Sequence, residues 1–372
     1  MVGLYVHVPF CHSECTYCDF YRTGYRDELA WTYLEALEVE IAGLPRGLRP
    51  SSVFVGGGTP SALRAPQLER LLNLLAGLAV EVKEYTFEVN PRSTTPEKAR
   101  LLAEAGVTRV SFGGQTFDDE ALSLLGRRHR SEHIVTAFEM LREHIASINF
   151  DLIFALPGQS LEAWESDLAR AVELDPDHLS AYSLTYESGT PLSQKVLRGE
   201  LCPAGEELER AMFLRARDYL SEHGLEHYEI SNYAKPGHAC VHNLVYWNQS
   251  DYYGIGPAAC STLGSRRFRN LPDVDRYTFE LKSRGLPPRS EETLSATDKL
   301  NEHIMLKLRT REGLSLEEFA RRAGCSLEEY AGGKLSPLLQ SRLLERQEQT
   351  LRLTEEGLCV ADSVVCELFA PA

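Results

Sequence analysis

Three cysteines near the start of the chain, Cys11, Cys15 and Cys18, have the spacing C-x3-C-x2-C. Three thiolates can bind three irons of a cubane [4Fe–4S] cluster, which usually has four cysteine ligands. One iron is then left without a protein ligand, and the amino and carboxylate groups of S-adenosylmethionine (SAM) can chelate it. An electron from the cluster would cleave the sulfonium and produce a 5′-deoxyadenosyl radical, so the cofactors supply the chemistry and the protein binds and orients them.

Two other interpretations of the three cysteines are half of a zinc site and a set of unrelated buried thiols. Zinc motifs usually pair two C-x2-C knuckles, and the chain has no second knuckle. Five other cysteines show no ligand spacing and are expected to behave as small buried apolar side chains: Cys202, Cys260, Cys325, Cys359 and Cys366. The first gap of three residues therefore favours the cluster.

Five further features have the chemistry that SAM requires. The glycine run Gly56–Gly58 allows a backbone to approach a ligand closely. Glu88 could bind the ammonium group, although an acid in a surface turn is an equal alternative. Gln115 and Asp151 could hold the ribose hydroxyls, since amide and carboxylate oxygens accept hydrogen bonds from paired OH groups. Arg127 could bind the carboxylate, or it could be a solvated arginine at a helix end.

The first half of the chain alternates short β-rich runs with amphipathic helical patterns, which predicts a parallel sheet with helices outside it. The cysteines and all the polar or glycine-rich segments follow the strands, at the edge where such barrels place their chemistry. The candidate strands are Leu4–Val8, Val53–Val55, Tyr85–Val89, Arg109–Phe112, Asn149–Phe154 and Leu179–Leu184. The candidate helices between them are Glu28–Ala42, Pro66–Leu78, Pro96–Ala105, Ser131–Arg142 and Leu161–Glu173.

The alternation stops near residue 190, and the sequence predicts three parts: a barrel over 1–190, a barrel-capping segment over 191–290 that contains the second candidate site described below, and a tail over 291–372. The tail pattern of helices and a short strand suggests a winged-helix-like α+β domain. Because it is acidic, a packing or protein-contact role is favoured over DNA binding. The predicted elements are a long helix Glu206–Glu222, an irregular segment Tyr228–Trp247, helices Leu294–Arg309, Leu314–Ala323, Ser336–Glu345 and Glu355–Val365, and a strand Leu351–Thr354.

A second candidate site lies in His238–Trp247, where two imidazoles and a thiol occur within five residues. Such groups can ligate a metal or a haem iron. Tyr246 and Trp247 could supply a flat surface for a macrocycle. The alternative is a loop that packs its aromatic side chains on the barrel mouth, with incidental histidines.

The composition limits the partners and the compartment. The net charge of −15 over 372 residues disfavours nucleic acid, which requires a basic surface. Nine cysteines and the absence of a signal-peptide pattern favour a reducing cytoplasm. No apolar run reaches the roughly 20 residues of a membrane span, which does not exclude a peripheral membrane contact.

Taken together, the motifs resemble those of the HemW family, radical SAM haem chaperones related to oxygen-independent coproporphyrinogen III oxidase. The resemblance extends over nearly the whole chain. The segments that show it are Tyr5–Cys11, Gly56–Ser61, Gln115–Phe117, Leu125–Arg127, Asp151–Ile153, Leu156–Gly158, Tyr228–Ala234 and His242–Trp247, the last matching H-N-x-x-Y-W.

The resemblance implies an α/β fold: a partial (β/α)6, TIM-like radical SAM barrel with a C-terminal domain. It implies a [4Fe–4S] cluster on the three N-terminal cysteines and haem binding by His242, beside Tyr246 and Trp247. It assigns SAM contacts to Tyr5, Tyr17, Gly57, Gly58, Thr59, Glu88, Gln115, Arg127, Asp151 and Thr185.

The function implied is a haem chaperone that binds haem and delivers it to haem-requiring acceptor proteins such as respiratory enzymes, with dimerisation as a further expectation. The alternative is the oxidase reaction, decarboxylation of coproporphyrinogen III to protoporphyrinogen IX, so enzymatic activity stays open. Phe20 stands where the oxidase has a further cysteine, which favours the chaperone. Three positions depart from the family pattern: Gly114 replaces valine, Ala258 replaces glycine and Cys260 replaces histidine.

Overall fold

A twelve-stranded, mostly parallel sheet forms most of the protein in a computed structural model that describes residues 1–370. The strands, in chain order, are β1 (Val2–Val8), β2 (Phe10–Cys11), β3 (Thr23–Gly24), β4 (Ser52–Gly57), β5 (Glu84–Val89), β6 (Arg109–Gln115), β7 (Ser147–Phe154), β8 (His178–Ser183), β9 (Glu226–Glu229), β10 (Asn232–Ala234), β11 (Asp251–Ile255), β12 (Cys260–Leu263), β13 (Arg266–Asn270), β14 (Arg289–Thr293), β15 (Leu314–Ser315), β16 (Leu344–Gln347) and β17 (Thr350–Leu353).

The α-helices cover the outer face of this sheet and form most of the C-terminal part, and one 3-10 turn spans Pro60–Ala62. The helices are α1 (Asp27–Ala42), α2 (Ala65–Leu75), α3 (Pro96–Glu104), α4 (Asp119–Leu124), α5 (Ser131–Arg142), α6 (Leu161–Glu173), α7 (Pro191–Leu197), α8 (Glu206–Glu222), α9 (Val241–Trp247), α10 (Val274–Arg284), α11 (Ala296–Leu308), α12 (Leu316–Ala323), α13 (Leu327–Tyr330), α14 (Leu335–Gln340), α15 (Glu355–Cys359) and α16 (Ala361–Glu367).

The barrel consists of β1, β4, β5, β6, β7 and β8, which are parallel and adjacent in this order. Side chains alternate between the two faces of each strand. On β1, Leu4, Val6 and Val8 belong to the apolar core, whereas Tyr5 and His7 face inward. The predicted partial barrel is therefore confirmed, and all six predicted strands are present. Five of them are longer than predicted at one or both ends, whereas the sixth begins and ends one residue earlier than predicted.

Both edges of the barrel sheet are extended by later parts of the chain. Strand β11 pairs in parallel with β1, and β12 to β14 continue from it in antiparallel pairs. At the other edge, β10 and β9 add antiparallel to β8. Residues 191–290 thus supply strands to the same sheet as residues 1–190.

The prediction of an irregular segment over Tyr228–Trp247 is wrong, because the end of β9, all of β10 and helix α9 lie within it. Strand β10 has only three residues, which is too short for the alternation of a strand to be recognised in the sequence. Helix α9 is stabilised by a distant residue: the carboxylate of Glu84 accepts hydrogen bonds from the backbone N–H groups of Val241 and His242, at 2.9 and 3.1 Å. An acid at a helix N-terminus is favourable, but this acid lies far away in sequence.

The C-terminal part has its own apolar core, which includes Ile304, Phe319, Leu351 and Val364. Helices α11 to α16 surround a small antiparallel sheet with the order β15-β17-β16. The predicted last helix is interrupted at Val360, so that it forms α15 and α16. Among residues 1–370, no helix combines the length and the apolarity that crossing a membrane would need.

Candidate functional site

A cavity of about 730 Å³ opens at the carboxyl ends of the barrel strands. The three N-terminal cysteines line it together with nine of the ten residues that the resemblance assigns to SAM. These residues are Cys11, Cys15, Cys18, Tyr17, Gly57, Gly58, Thr59, Glu88, Gln115, Arg127, Asp151 and Thr185. The expectation that the segments following the strands meet at one edge is therefore correct.

The loop that carries the cysteines is held by side-chain hydrogen bonds from Arg22 and by a contact with Thr59. Cys11 ends β2, and its Sγ lies 3.5 Å from the hydroxyl of Thr59. The guanidinium of Arg22 donates to the carbonyls of Cys18 and Cys15, at 2.6 and 3.2 Å. Burial raises the pKa of the Cys11 thiol to about 11. Within residues 1–370 no three His, Cys, Asp or Glu side chains converge on a single metal ion, so the three cysteines line the cavity without meeting at one point.

The glycine run at the end of β4 lies where side chains have no room. A Cβ on Gly56 would lie 2.8 Å from the carboxyl carbon of Glu88, and one on Gly58 would lie 2.9 Å from the backbone of Pro9 and Phe10. Gly57 has φ +112°, and a Cβ there would lie 2.7 Å from the ring of His7. The backbone of Gly57 is therefore fixed close to the cavity, and its N–H donates to Glu88 at 3.1 Å.

We expect Gly57→Ala to lower the thermal stability, since alanine at this φ is strained and its methyl group meets the His7 ring. The expected loss is on the order of 2 kcal/mol or more in the free energy of unfolding. The control is Gly77→Ala, because a Cβ there meets no atom within 4 Å and no left-handed φ is involved. Denaturant unfolding of both variants checks the prediction, and equal stability of the two would contradict it.

Two carboxyl groups, Glu88 and Asp151, lie on the cavity wall. Burial, and then the charge of Asp151, raise the pKa of Glu88 to about 8. Burial also raises the pKa of Asp151, although Asn149 and Ser111 donate to its carboxylate at 2.6 and 3.3 Å. Removing two acids from water without a cation is costly, so a cationic or hydroxyl-bearing ligand would suit this wall.

Gln115 and Arg127 lie on the cavity near the cysteines. Gln115 has φ +74° at an irregular position of β6. The guanidinium of Arg127 donates to the hydroxyl of Tyr17 at 2.7 Å, while its Nε has no partner among residues 1–370. Arg127 is thus not a solvated arginine at a helix end. Gly114 departs from the family valine because Phe150 occupies that space, with its ring 2.3 Å from where a Cβ would be.

The structure does not bring every predicted residue to the cavity. Tyr5 does not line it, and its hydroxyl lies 3.1 Å from Nδ1 of His7. His242, Tyr246 and Trp247 do not line it either. Helix α9 closes the opposite, N-terminal end of the barrel, so the suggested packing of these aromatic side chains on the barrel mouth is wrong.

His242 is 1% exposed and both of its ring nitrogens have partners. Its Nδ1 lies 2.9 Å from the hydroxyl of Ser52, and its Nε2 lies 2.8 Å from the hydroxyl of Tyr246. Burial lowers its pKa to about 3. The imidazole is therefore neutral, as an iron ligand has to be, but neither nitrogen is free in this state.

Two of the family departures, Ala258 and Cys260, lie in the turn between β11 and β12 and at the first residue of β12. Ala258 has φ +66°, a conformation that glycine adopts without strain. Cys260 is half-buried on β12, does not line the cavity, and burial raises the pKa of its thiol. The backbone at Ala258 thus has the conformation that a glycine would adopt, and the thiol of Cys260 lies outside the cavity.

Sequence reasoning missed several polar side chains on the inner face of the barrel. Arg109, Ser111, Asn149, His178 and Ser180 line the cavity below the residues assigned to SAM. The signal for them is the alternation of the strands, because these residues have the parity of Gly113 on β6, of Asp151 on β7 and of Tyr182 on β8. Their side chains therefore share one face with known candidates.

Comparisons with known proteins show the family to which the chain belongs. The chain matches the family model of the radical SAM superfamily over residues 5–171 and that of the HemN C-terminal domain over residues 294–360. It is 34% identical to the heme chaperone HemW of Bacillus subtilis, over 98% of this chain and 98% of the relative. It is 36% identical to HemW of Lactococcus lactis, over 97% and 95%.

A solved structure with the same fold is coproporphyrinogen III oxidase (HemN) from Escherichia coli, described as a radical SAM enzyme. It is 25% identical, with a TM-score of 0.85, and the match covers 99% of this chain and 90% of that one. The radical SAM superfamily implies a [4Fe–4S] cluster and SAM. The residues present suit both groups: three thiols at the cavity edge, a glycine backbone without room for side chains, and buried polar groups that lack partners.

Proposed function

We propose that this chain, which belongs to the HemW family, is a haem chaperone that binds haem and delivers it to proteins that require it. The observation on which the proposal depends is the similarity to proteins named heme chaperone HemW over nearly the full length. Phe20 supports it, since the oxidase pattern has a cysteine at this position. This side chain is 66% exposed beside Cys18.

We propose that Cys11, Cys15 and Cys18 hold the cluster. The cavity beside them would hold SAM, with Glu88 on the ammonium group, Asp151 on the ribose and backbone groups of the glycine run on the amino-acid end. When bound, the cluster would supply the electron that cleaves the sulfonium. The protein orients the cofactor and excludes water, and the role of both groups would be to support dimerisation or haem release.

His242 remains the proposed haem-binding residue. Ligation of iron by Nδ1 would replace the hydrogen bond to Ser52, and ligation by Nε2 would replace the one to Tyr246. Because the side chain is almost fully buried, the macrocycle can reach it only if α9 moves away from β4. Haem binding at this residue would therefore be coupled to opening of the N-terminal end of the barrel.

We expect His242→Ala to weaken haem binding on the order of tenfold or more, since an iron–imidazole bond is lost. Tyr246→Phe is expected to strengthen binding if Nε2 is the ligand, because it removes the competing hydrogen bond. The measurement is an anaerobic absorbance titration with haem. The control is His238→Ala, which changes a half-buried histidine of the same segment. Wild-type affinity in His242→Ala would contradict the assignment.

Porphyrinogen decarboxylation is the second candidate function, and the observation that favours it is the whole-chain likeness to the oxidase. The assay is anaerobic incubation of protein with its rebuilt cluster, SAM and coproporphyrinogen III. Repeated turnover to protoporphyrinogen IX would establish the enzyme and overturn a pure chaperone role. Tight haem binding without product would support the chaperone.

A further inference from the structure

The lower part of the cavity contains a buried cation that the proposed SAM contacts do not use. Arg109 is the first residue of β6, so it lies at the N-terminal end of the barrel, on the inner face with Ser111 and Gly113. It lines the cavity and is 3% exposed. A guanidinium in this position is removed from water yet open to a ligand that enters from the carboxyl edge.

Arg109 has few partners for its five N–H groups. One terminal nitrogen donates to the carbonyl of His238 at 3.3 Å, and Nε has no partner among residues 1–370. Within the same residues, no carboxylate oxygen lies within 4.0 Å of its guanidinium nitrogens. A buried charge is normally paired or fully hydrogen-bonded. The fold therefore leaves the guanidinium of Arg109 without the partners that a buried charge usually has.

The groups around Arg109 do not neutralise it. His178 is neutral because burial, and then the charge of Arg109, keep its pKa well below the usual range. Its Nδ1 lies 2.6 Å from the amide oxygen of Asn149, and its Nε2 lies 2.8 Å from the hydroxyl of Tyr228. Cys240 is a buried thiol whose pKa is raised to about 12 by burial. Asp151 is an acid on the cavity wall, and the charge of Arg109 opposes the rise that burial causes in its pKa. It forms no ion pair with Arg109, and its oxygens accept from Asn149 and Ser111.

We propose that the floor of the cavity is a subsite for a carboxylate group, bound by the guanidinium of Arg109. A planar guanidinium binds a carboxylate through two parallel hydrogen bonds. The amide of Asn243 reaches the same cavity from α9 and offers a further donor. The inference rests on the proposed function, because it names the chemistry of a ligand that shares this cavity.

Two kinds of ligand could supply the carboxylate: a porphyrin, through its propionate, or a small carboxylic acid. The structure favours neither, since both present the same group to Arg109. A purely structural role is disfavoured because Arg109 lacks the ion pair that such a role would use. Replacement of an unpaired buried charge by an apolar side chain of similar length is expected to leave the empty protein equally or more stable.

The experiment compares the full-length wild type with Arg109→Met and Arg109→Lys. The control is Arg92→Met, which removes an arginine that also lines the cavity but donates to the carbonyl of Arg128 at 3.1 Å. Three probes are used: haem, haem dimethyl ester and sodium propionate. Haem affinities come from absorbance titration, and propionate binding is followed by the shift in melting temperature.

If the porphyrin is the source, wild type binds haem more tightly than its dimethyl ester, on the order of tenfold or more, and Arg109→Met abolishes this difference. If a small acid is the source, Arg109→Met loses the propionate-dependent shift while haem binding is unchanged. Arg109→Lys is expected to retain part of either effect, because it keeps the positive charge. Arg92→Met is expected to bind all three probes as wild type does.

The proposal is overturned if Arg109→Met binds all three probes as wild type does. It is also overturned if this variant melts several degrees lower without probes, since that shows a structural cation. Failure of wild type to bind haem would instead count against the chaperone function. In that case the propionate measurement still tests whether Arg109 binds a carboxylate.

Discussion

Cys15→Ser is expected to reduce the iron of the reconstituted protein from about four atoms per chain to below about one. Three thiolates are the fewest that hold a cube while leaving one iron open, and serine is a poor replacement for a thiolate. Cys11 and Cys18 alone would leave two irons without protein ligands. Iron and sulfide content, together with the visible absorption after anaerobic reconstitution, measure this effect.

The matched control for the cluster is Cys202→Ser, which removes an exposed cysteine that does not line the cavity. It should bind iron and sulfide as wild type does. Wild-type iron in Cys15→Ser would show that this cysteine is not a ligand. Uptake of one zinc per chain by wild type, with no cluster formed, would favour the zinc alternative.

Glu88 is expected to contribute a decrease in the free energy of unfolding of the protein without cofactors as pH rises from about 5 to about 8. The pKa of Glu88 is about 8 in the folded protein, whereas the unfolded chain ionises near its ordinary value. Between these values the folded state holds a proton that the unfolded state has lost, so stability decreases with pH. Each pH unit is worth about 1.4 kcal/mol at most, and the total loss is a few kcal/mol.

Glu88→Gln should remove this contribution, because the amide does not titrate, so the stability of the variant relative to wild type should rise with pH over this range. Glu187→Gln is the control, since Glu187 also lines the cavity but is exposed. Denaturant unfolding of wild type and both variants at several pH values decides the matter. The explanation fails if Glu88→Gln keeps the wild-type slope or if Glu187→Gln abolishes it.

The barrel and the edge that carries the cofactor residues could be predicted, because the sequence pattern of each strand agrees with the way in which the strands pair in the sheet. Each barrel strand is a short β-rich run, and candidate ligand residues follow directly, as the glycines after Val55 show. Helix α8 was predicted with the bounds that it has, because its polar and apolar residues alternate with helical period.

The parts that could not be predicted depend on contacts distant in sequence. Strand β11 is held by its pairing with β1, and α9 by the carboxylate of Glu84. Arg109 was recognised as the start of a strand but not as a cavity residue. Arg109 is notable because the neighbouring strands place no carboxylate within reach of it. The sequence pattern of one strand does not contain that information.

The pairing of β1 with β11 has a consequence for the synthesis of the protein. Val2 lies opposite Asp251, so one edge of the first strand has no neighbour until most of the chain has left the ribosome. Non-local pairing of this kind slows folding and leaves a strand edge open to aggregation. A nascent chain that stalls before residue 251 should therefore be a good substrate for general chaperones, and truncation just before β11 should yield insoluble protein.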